Sequence, residues 1–270
     1  MPGSEVISDE SITPSSRLKL MEQRSIDVIP PAERRGRVRH LGLLWSGMVL
    51  NVFTVVYGAL LITLGLSLWQ AALAIVIGNL TWIVTGLASL PGPRAGTTTF
   101  MVNRTIMGVH GNRLLAVCNW LMQVGYQVLD TVLMALAATS LLGLAGVGVS
   151  EWGQVGVIVL FSALQSTLPV MGHALITRVL NLLAAPFAVV FLLLAWLTAD
   201  RFDYVSTQPS PLAVFLGGVA LIASAGGLGW TPNATDLSRY LPADTRPGRV
   251  VAAVALGGAL PQMLLMFTGA

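Results

Sequence analysis

The sequence predicts an all-α fold, a polytopic transmembrane bundle of about seven helices. Three observations predict it: 54% of the 270 residues are hydrophobic, 10% are charged, and the charges fall between long apolar stretches. A soluble domain carries about 25% charged residues. Backbone groups in lipid must be satisfied within their own segment, so long apolar runs are read as helices.

The first forty residues are polar, include Pro14, Pro30 and Pro31, and lack the apolar stretch of a signal peptide. Residues 1–40 are expected to form a flexible cytoplasmic tail, and residues 41–270 a transmembrane domain. Seven of the fifteen basic residues precede residue 41, so the net charge of +3 reflects a basic end rather than a nucleic-acid surface. The single cysteine, Cys118, excludes an intrachain disulfide.

A helix needs about 20 apolar residues to cross a bilayer. Seven segments reach that length, roughly 41–65, 69–90, 114–146, 152–171, 179–199, 212–230 and 250–268. In the first, Asn51, Thr54 and Tyr57 recur at helical spacing beside Gly58, a polar stripe suited to bonding a neighbouring helix. The third is too long for one upright crossing, so it tilts or runs on beyond the membrane.

That third segment also holds Asp130, with no basic residue within ten positions. A lone acid at such depth costs about 2.5–3.5 kcal/mol on insertion scales. It therefore faces a cavity, the bundle interior or a partner. Gln123, Tyr126 and Asp130 share its helical face, at spacings of three and four. They supply an aromatic plate, an amide and a carboxyl, which suit a flat polar heteroaromatic ring; the same set also serves as helix-packing glue. Trp120 is a reserve candidate for the plate.

The sixth segment ends on Gly226-Gly227-Leu228-Gly229-Trp230-Thr231-Pro232, a poor continuous helix. Two readings stay open: close packing through small residues, or a broken helix whose freed backbone faces a ligand.

Orientation follows from Lys and Arg. With the N-terminus inside, the tail and the connectors at 91–113, 172–178 and 231–249 hold fourteen of the fifteen basic residues, leaving Arg201 outside. That places the chain in the cell inner membrane with its N-terminus cytoplasmic, and discounts Asn103-Arg104-Thr105 as a glycosylation sequon. There is no Walker loop, GxSxG or HExxH, and His40, His110 and His173 are expected apart in polar connectors. No catalytic residue, metal site or cofactor is expected.

Val76-Ile77-Gly78-Asn79-Leu80, Gly92-Pro93-Arg94-Ala95-Gly96 and Asn103-Arg104 to Gly108 together resemble the nucleobase:cation symporter-1 family in its second helix and following loop. Gln123-Val124-Gly125-Tyr126 is similar to the family's Gln-Val-Gly-Trp in the third helix. The run Gly229-Trp230-Thr231-Pro232-Asn233-Ala234-Thr235-Asp236-Leu237-Ser238-Arg239-Tyr240-Leu241-Pro242 is similar to its sixth-to-seventh-helix motif, in the form most like the purine–cytosine permease branch. The likeness runs from about residue 30 to the end.

The resemblance implies a twelve-helix design whose first ten helices form two inverted five-helix repeats. Here the first repeat covers about 41–199 and the start of a second about 212–270. Helices one and six are broken at mid-membrane, with substrate between them and helices three and eight. Tyr126 takes the place of the family's stacking Trp and Gln123 that of a substrate-contacting Gln, while Asp130 falls where many members have an amide. Gly226, Gly227 and Trp230 complete the expected substrate site, and the cation carbonyls of the first helix fall near Val49 and Val52. The implied activity is import of a nucleobase or related planar heterocycle (cytosine, purine or hydantoin-like), coupled to Na+ or H+.

Two departures qualify the likeness. Gly227 stands where the family has a sixth-helix aromatic, leaving Trp230 as the nearby ring. The sequence also stops at Ala270, before the family's helix eight, so self-association or a missing C-terminal half is expected to complete the machine. The rival readings are a truncated, non-transporting binding or partner subunit, and a broken-helix carrier of amino acids or vitamins. An amino acid's carboxylate would meet Asp130, which disfavours the second.

Overall fold

The computed structural model describes residues 26–171, 173–198 and 208–270. Most of the expected tail, and Arg201, lie outside them. Every regular element among the described residues is helical.

The first span is two helices, α1 (Val38–Val49) and α2 (Val52–Thr63), bent by 58°. Asn51 is extended (φ −144°, ψ 163°) and its side chain accepts from the Thr54 backbone N–H. Asparagine is weak inside a helix and strong at its N-cap, so the break falls at the one asparagine of the span. Thr54 then donates its hydroxyl to the Val49 carbonyl across the break, at 2.7 Å.

The second span comprises α3 (Leu68–Asn79), α4 (Trp82–Ala88) and α5 (Pro91–Ala95). The connector expected at 91–113 is instead largely helical. Pro91 and Pro93 sit in the first turn of α5, where the missing N–H has no partner to lose. Gly96 ends α5 in the left-handed region (φ 66°). Helix α6 (Thr99–Leu144) follows, kinked at Gly108 (φ 68°, ψ −178°). Its stretch from Val109 is about 54 Å long at 1.5 Å per residue, well beyond the roughly 30 Å hydrocarbon core.

Helices α7 (Glu151–Met171) and α8 (His173–Thr198) occupy the fourth and fifth expected segments. Contrary to expectation, His40, His110 and His173 all lie in helices. The sixth span runs as α9 (Leu212–Ala225), a break at Gly226, α10 (Gly227–Trp230), a 3-10 turn at Thr231–Asn233 and α11 (Ala234–Ser238). The connector expected from 231 thus begins as helix. Helix α12 (Pro247–Gly269) closes the described chain. Among the described residues four helical runs are long and apolar enough to cross a membrane, or five with the bent α1–α2 pair counted as one. Seven were expected; α7 and α8 are helical where expected but do not add to that count.

The chain divides into two compact units, one containing Leu133–Arg178, the other Arg24–Val132 and Val179–Ala270. In the first, Leu136, Leu141, Trp152, Val159 and Leu164 are exposed, as lipid-facing residues are. In the second, α12 packs on α1, α2, α3 and α4, and α3 packs on α9. One core cluster joins Leu41, Trp45, Val49, Trp82, Leu241, Val250 and Val254. Another joins Leu61, Leu66, Ala71, Ala74, Ile75, Ile222 and Met266. So the first, second, sixth and seventh spans make the packed body of this unit.

Polar contacts pin one end of that body. Asp236 accepts from the Thr99 backbone N–H at 3.0 Å, capping α6. Ser89 donates to the Ala234 carbonyl at 2.9 Å, and Ser238 to the Ser89 carbonyl at 2.8 Å. Residues 26–37, expected within a flexible tail, are held here too. Buried Arg34 donates to the carbonyls of Ile29 (2.7 Å) and Pro93 (2.8 Å), and Gly36 N–H to the Tyr240 carbonyl at 2.8 Å.

Candidate functional site

A cavity of about 330 Å³ lies in the larger unit, where the two broken spans meet α6 and α12. Met48, Val49, Asn51, Phe53, Thr54 and Tyr57 line it from the α1–α2 break. Met122, Gln123, Tyr126 and Asp130 line it from α6, Ala225, Gly229 and Trp230 from the α9–α10 break, and Gln262 from α12. Both breaks arise locally, one from an asparagine cap and the other from a glycine run.

The cavity is walled by rings and amides. Trp45, fully buried, makes edge-to-face contacts with Trp82 (centroids 5.3 Å apart, 73°) and with Trp230 (5.8 Å, 82°). Trp82 Nε1 donates to Gln262 Oε1 at 2.6 Å, and Gln262 Nε2 to the Ala225 carbonyl at 3.3 Å. Tyr57 from α2 and Tyr126 and Asp130 from α6 line the same cavity. Asp130 is the one acid among the lining residues, which include no Lys, Arg or His. Chemically, the arrangement offers aromatic faces for stacking, amides that donate and accept, and one carboxyl without a basic partner in the lining.

Four of the six residues expected to bind substrate, Gln123, Tyr126, Asp130 and Trp230, border this one cavity. Gly226 and Gly227 do not. Gly226 is the break itself. Gly227 backs onto the second span, where any Cβ would collide with the Thr81–Trp82 backbone, and Thr85 donates its hydroxyl to the Gly227 carbonyl. Of the two open readings of the glycine run, close packing holds at Gly227, and the helix does break at Gly226, outside the cavity lining.

Of the two expected cation positions, Val49 borders the cavity and Val52 does not; Val52 is 59% exposed. The Val49 carbonyl already accepts from Thr54 Oγ1 and from Asn51 N–H (2.9 Å), which occupies both its lone pairs. Trp120, the reserve plate, is 63% exposed and outside the lining. Among the described residues no cluster of His, Cys, Asp and Glu could hold a metal ion.

Sequence reasoning read Asn51, Thr54 and Tyr57 as helix-packing polar residues; they line the cavity instead. It passed over Gln262, a lone amide in an apolar span. Its polarity at that depth was the available signal.

The family described as "Permease for cytosine/purines, uracil, thiamine, allantoin" matches residues 28–270. A Bacillus subtilis (strain 168) protein named as a purine-cytosine permease, YxlA, is 28% identical over 255 residues, 93% of this chain and 54% of its own length. The chain thus spans about half the length of that relative. No solved structure matches it. A match over nearly the whole chain, on a bundle of apolar helices, makes this a multi-pass membrane protein that belongs to the family of permeases for cytosine and purines, uracil, thiamine and allantoin.

Proposed function

We propose that this chain carries the binding cavity of a secondary transporter that imports a nucleobase or related planar heterocycle, cytosine- or purine-like, coupled to Na+ or H+. The observation that supports the reading best is the cavity between two broken spans, lined by Tyr126, Trp230, Gln123 and Asp130. Its volume lies in the range of small-molecule sites, about 300–1,000 Å³. Broken helices meeting at mid-membrane are also the usual setting for substrate and ion in such carriers. In this reading the protein sits in the cell inner membrane, and the placement of its basic residues supports a cytoplasmic N-terminus.

In this mechanism no bond is made or broken. The heterocycle stacks on Tyr126 or Trp230, with its polar edge toward Gln123 and Asp130. The coupling ion balances the charge of the Asp130 carboxylate, which no basic lining residue does. For Na+ at the Val49 carbonyl, Thr54 or Asn51 must first let go. For H+, Asp130 is the group that takes the proton.

The test is uptake of radiolabelled cytosine, purine and hydantoin by cells expressing the protein, with and without a sodium gradient. The expected result is saturable uptake of cytosine or a purine. If the proton is the coupling ion, Asp130→Asn abolishes the pH dependence of uptake; unchanged pH dependence removes Asp130 from that role. No saturable uptake, with the protein present in the membrane, overturns the transport reading for this chain.

A further inference from the structure

Gln262 is, with Thr54, the most buried polar side chain of the cavity wall, each 2% exposed, and no element of the proposed mechanism uses Gln262. Its amide orientation is fixed by chemistry. An indole N–H can only donate, so the atom facing Trp82 Nε1 at 2.6 Å is the oxygen. The nitrogen then faces the other way, where one N–H reaches the Ala225 carbonyl at 3.3 Å, the last carbonyl before the Gly226 break. An amide nitrogen has two N–H groups, and the second has no partner among the described residues. The oxygen and one N–H are thus occupied by protein, and a single donor is left in a residue that borders the cavity.

Trp82 is itself immobilised, wedged between Trp45 and Gly258, where a Cβ would strike the ring. The spare donor therefore has a set position and polarity. A recessed donor selects an acceptor that stands off the ligand ring. A ring carbonyl oxygen does so, whereas an aza nitrogen lies within the ring edge.

We propose that Gln262 is a specificity-determining residue whose Trp82-fixed amide donates its free N–H to a ring carbonyl oxygen of the bound heterocycle. This rests on the reading of the cavity as a heterocycle site. A donor placed for one carbonyl discriminates against the analogue lacking it, because the buried N–H is then left unpaired.

The experiment is equilibrium binding of two ligand pairs to membranes containing the full chain: cytosine against 4-aminopyrimidine, and guanine against 2-aminopurine. Each pair differs by the loss of a ring carbonyl. The wild-type chain is expected to favour the oxo member of at least one pair by about tenfold. Gln262→Met is expected to abolish that preference, read as the ratio of the two affinities within each pair. Gln262→Glu, which keeps an acceptor for Trp82 and loses the donor, is expected to lose the preference as well. A preference that survives in either variant, or a Gln262→Met loss that is equal for both members, overturns the proposal and leaves Gln262 a structural residue. Failure of the wild type to bind any of the four overturns the heterocycle reading, and this proposal with it.

Discussion

At the scale of single residues, the cavity depends on polar groups placed where water is scarce. Asn51 and Thr54 serve twice, closing the break between α1 and α2 through the Thr54 N–H and Val49 carbonyl bonds while lining the cavity. Tyr126 brings an aromatic ring to the cavity wall, and aromatic stacking contributes about 0.5–1.5 kcal/mol beyond area burial. Tyr126→Leu is therefore expected to weaken cytosine or purine binding about three- to tenfold at unchanged protein level, as read by radioligand titration. An unaltered affinity would take the stacking role from Tyr126. Three expected site residues, Gln123, Tyr126 and Asp130, reach the cavity together because a helix carries i, i+3 and i+7 on one face, which is legible in sequence. Gln262 was legible only as a lone amide in an apolar span; its bond to an indole 180 positions away in the chain was not.

At the scale of elements, the sixth span depends on a close approach. Gly227→Ala is expected to destabilise the protein by about 1–3 kcal/mol, because its Cβ meets the Thr81–Trp82 backbone. Gly217, on the same span, has nothing within 4 Å of an added Cβ. There Ala is expected to be neutral or stabilising by up to about 1 kcal/mol, since it favours helix. Thermal unfolding in detergent reads both, and equal shifts would mean that α10 does not pack on α4 as described. The segment before α1 is a second such element. Arg34→Ala leaves the Ile29 and Pro93 carbonyls without their buried donor, at a cost of about 1–3 kcal/mol. Faster proteolytic cleavage around residues 26–37 is the expected readout; wild-type cleavage rates would show the strap to be dispensable. Prolines misled the sequence reading in this region. Pro91 and Pro93 look like punctuation, yet at the start of a helix they cost no hydrogen bond.

At the scale of the whole molecule, composition and charge placement predict a membrane topology. The proposed topology, with the N-terminus inside and the seven crossings expected from the sequence, would put residues 231–249 in the cytoplasm and Ala270 on the outer side. A phosphatase reporter that is active only outside the cytoplasm is expected to be active when fused after Ala270 and inactive when fused after Ala243. The reverse pattern would overturn the orientation. The packed body of the larger unit uses the first, second, sixth and seventh spans, so packing pairs segments far apart in sequence. Such pairing follows from matched small residues, as where Gly58 meets the Met266 carbonyl and Gly269 the Val55 carbonyl. Small residues let backbones approach in lipid, where apolar burial between helices adds no driving force.

The sequence by itself determined the solvent, the helical class, the face that joins Gln123, Tyr126 and Asp130, and the family. Each of these is written in local composition, in a period of 3.6 residues, or in short motifs. Only the tertiary structure decided that Gly227 faces the second span rather than the cavity, that Asn51 and Tyr57 line the cavity, and that Gln262 belongs to it. Those outcomes depend on contacts across the bundle, such as Trp82 against Gln262 and Gly258. No local pattern encodes such a contact, because its energy exists only once distant helices have packed.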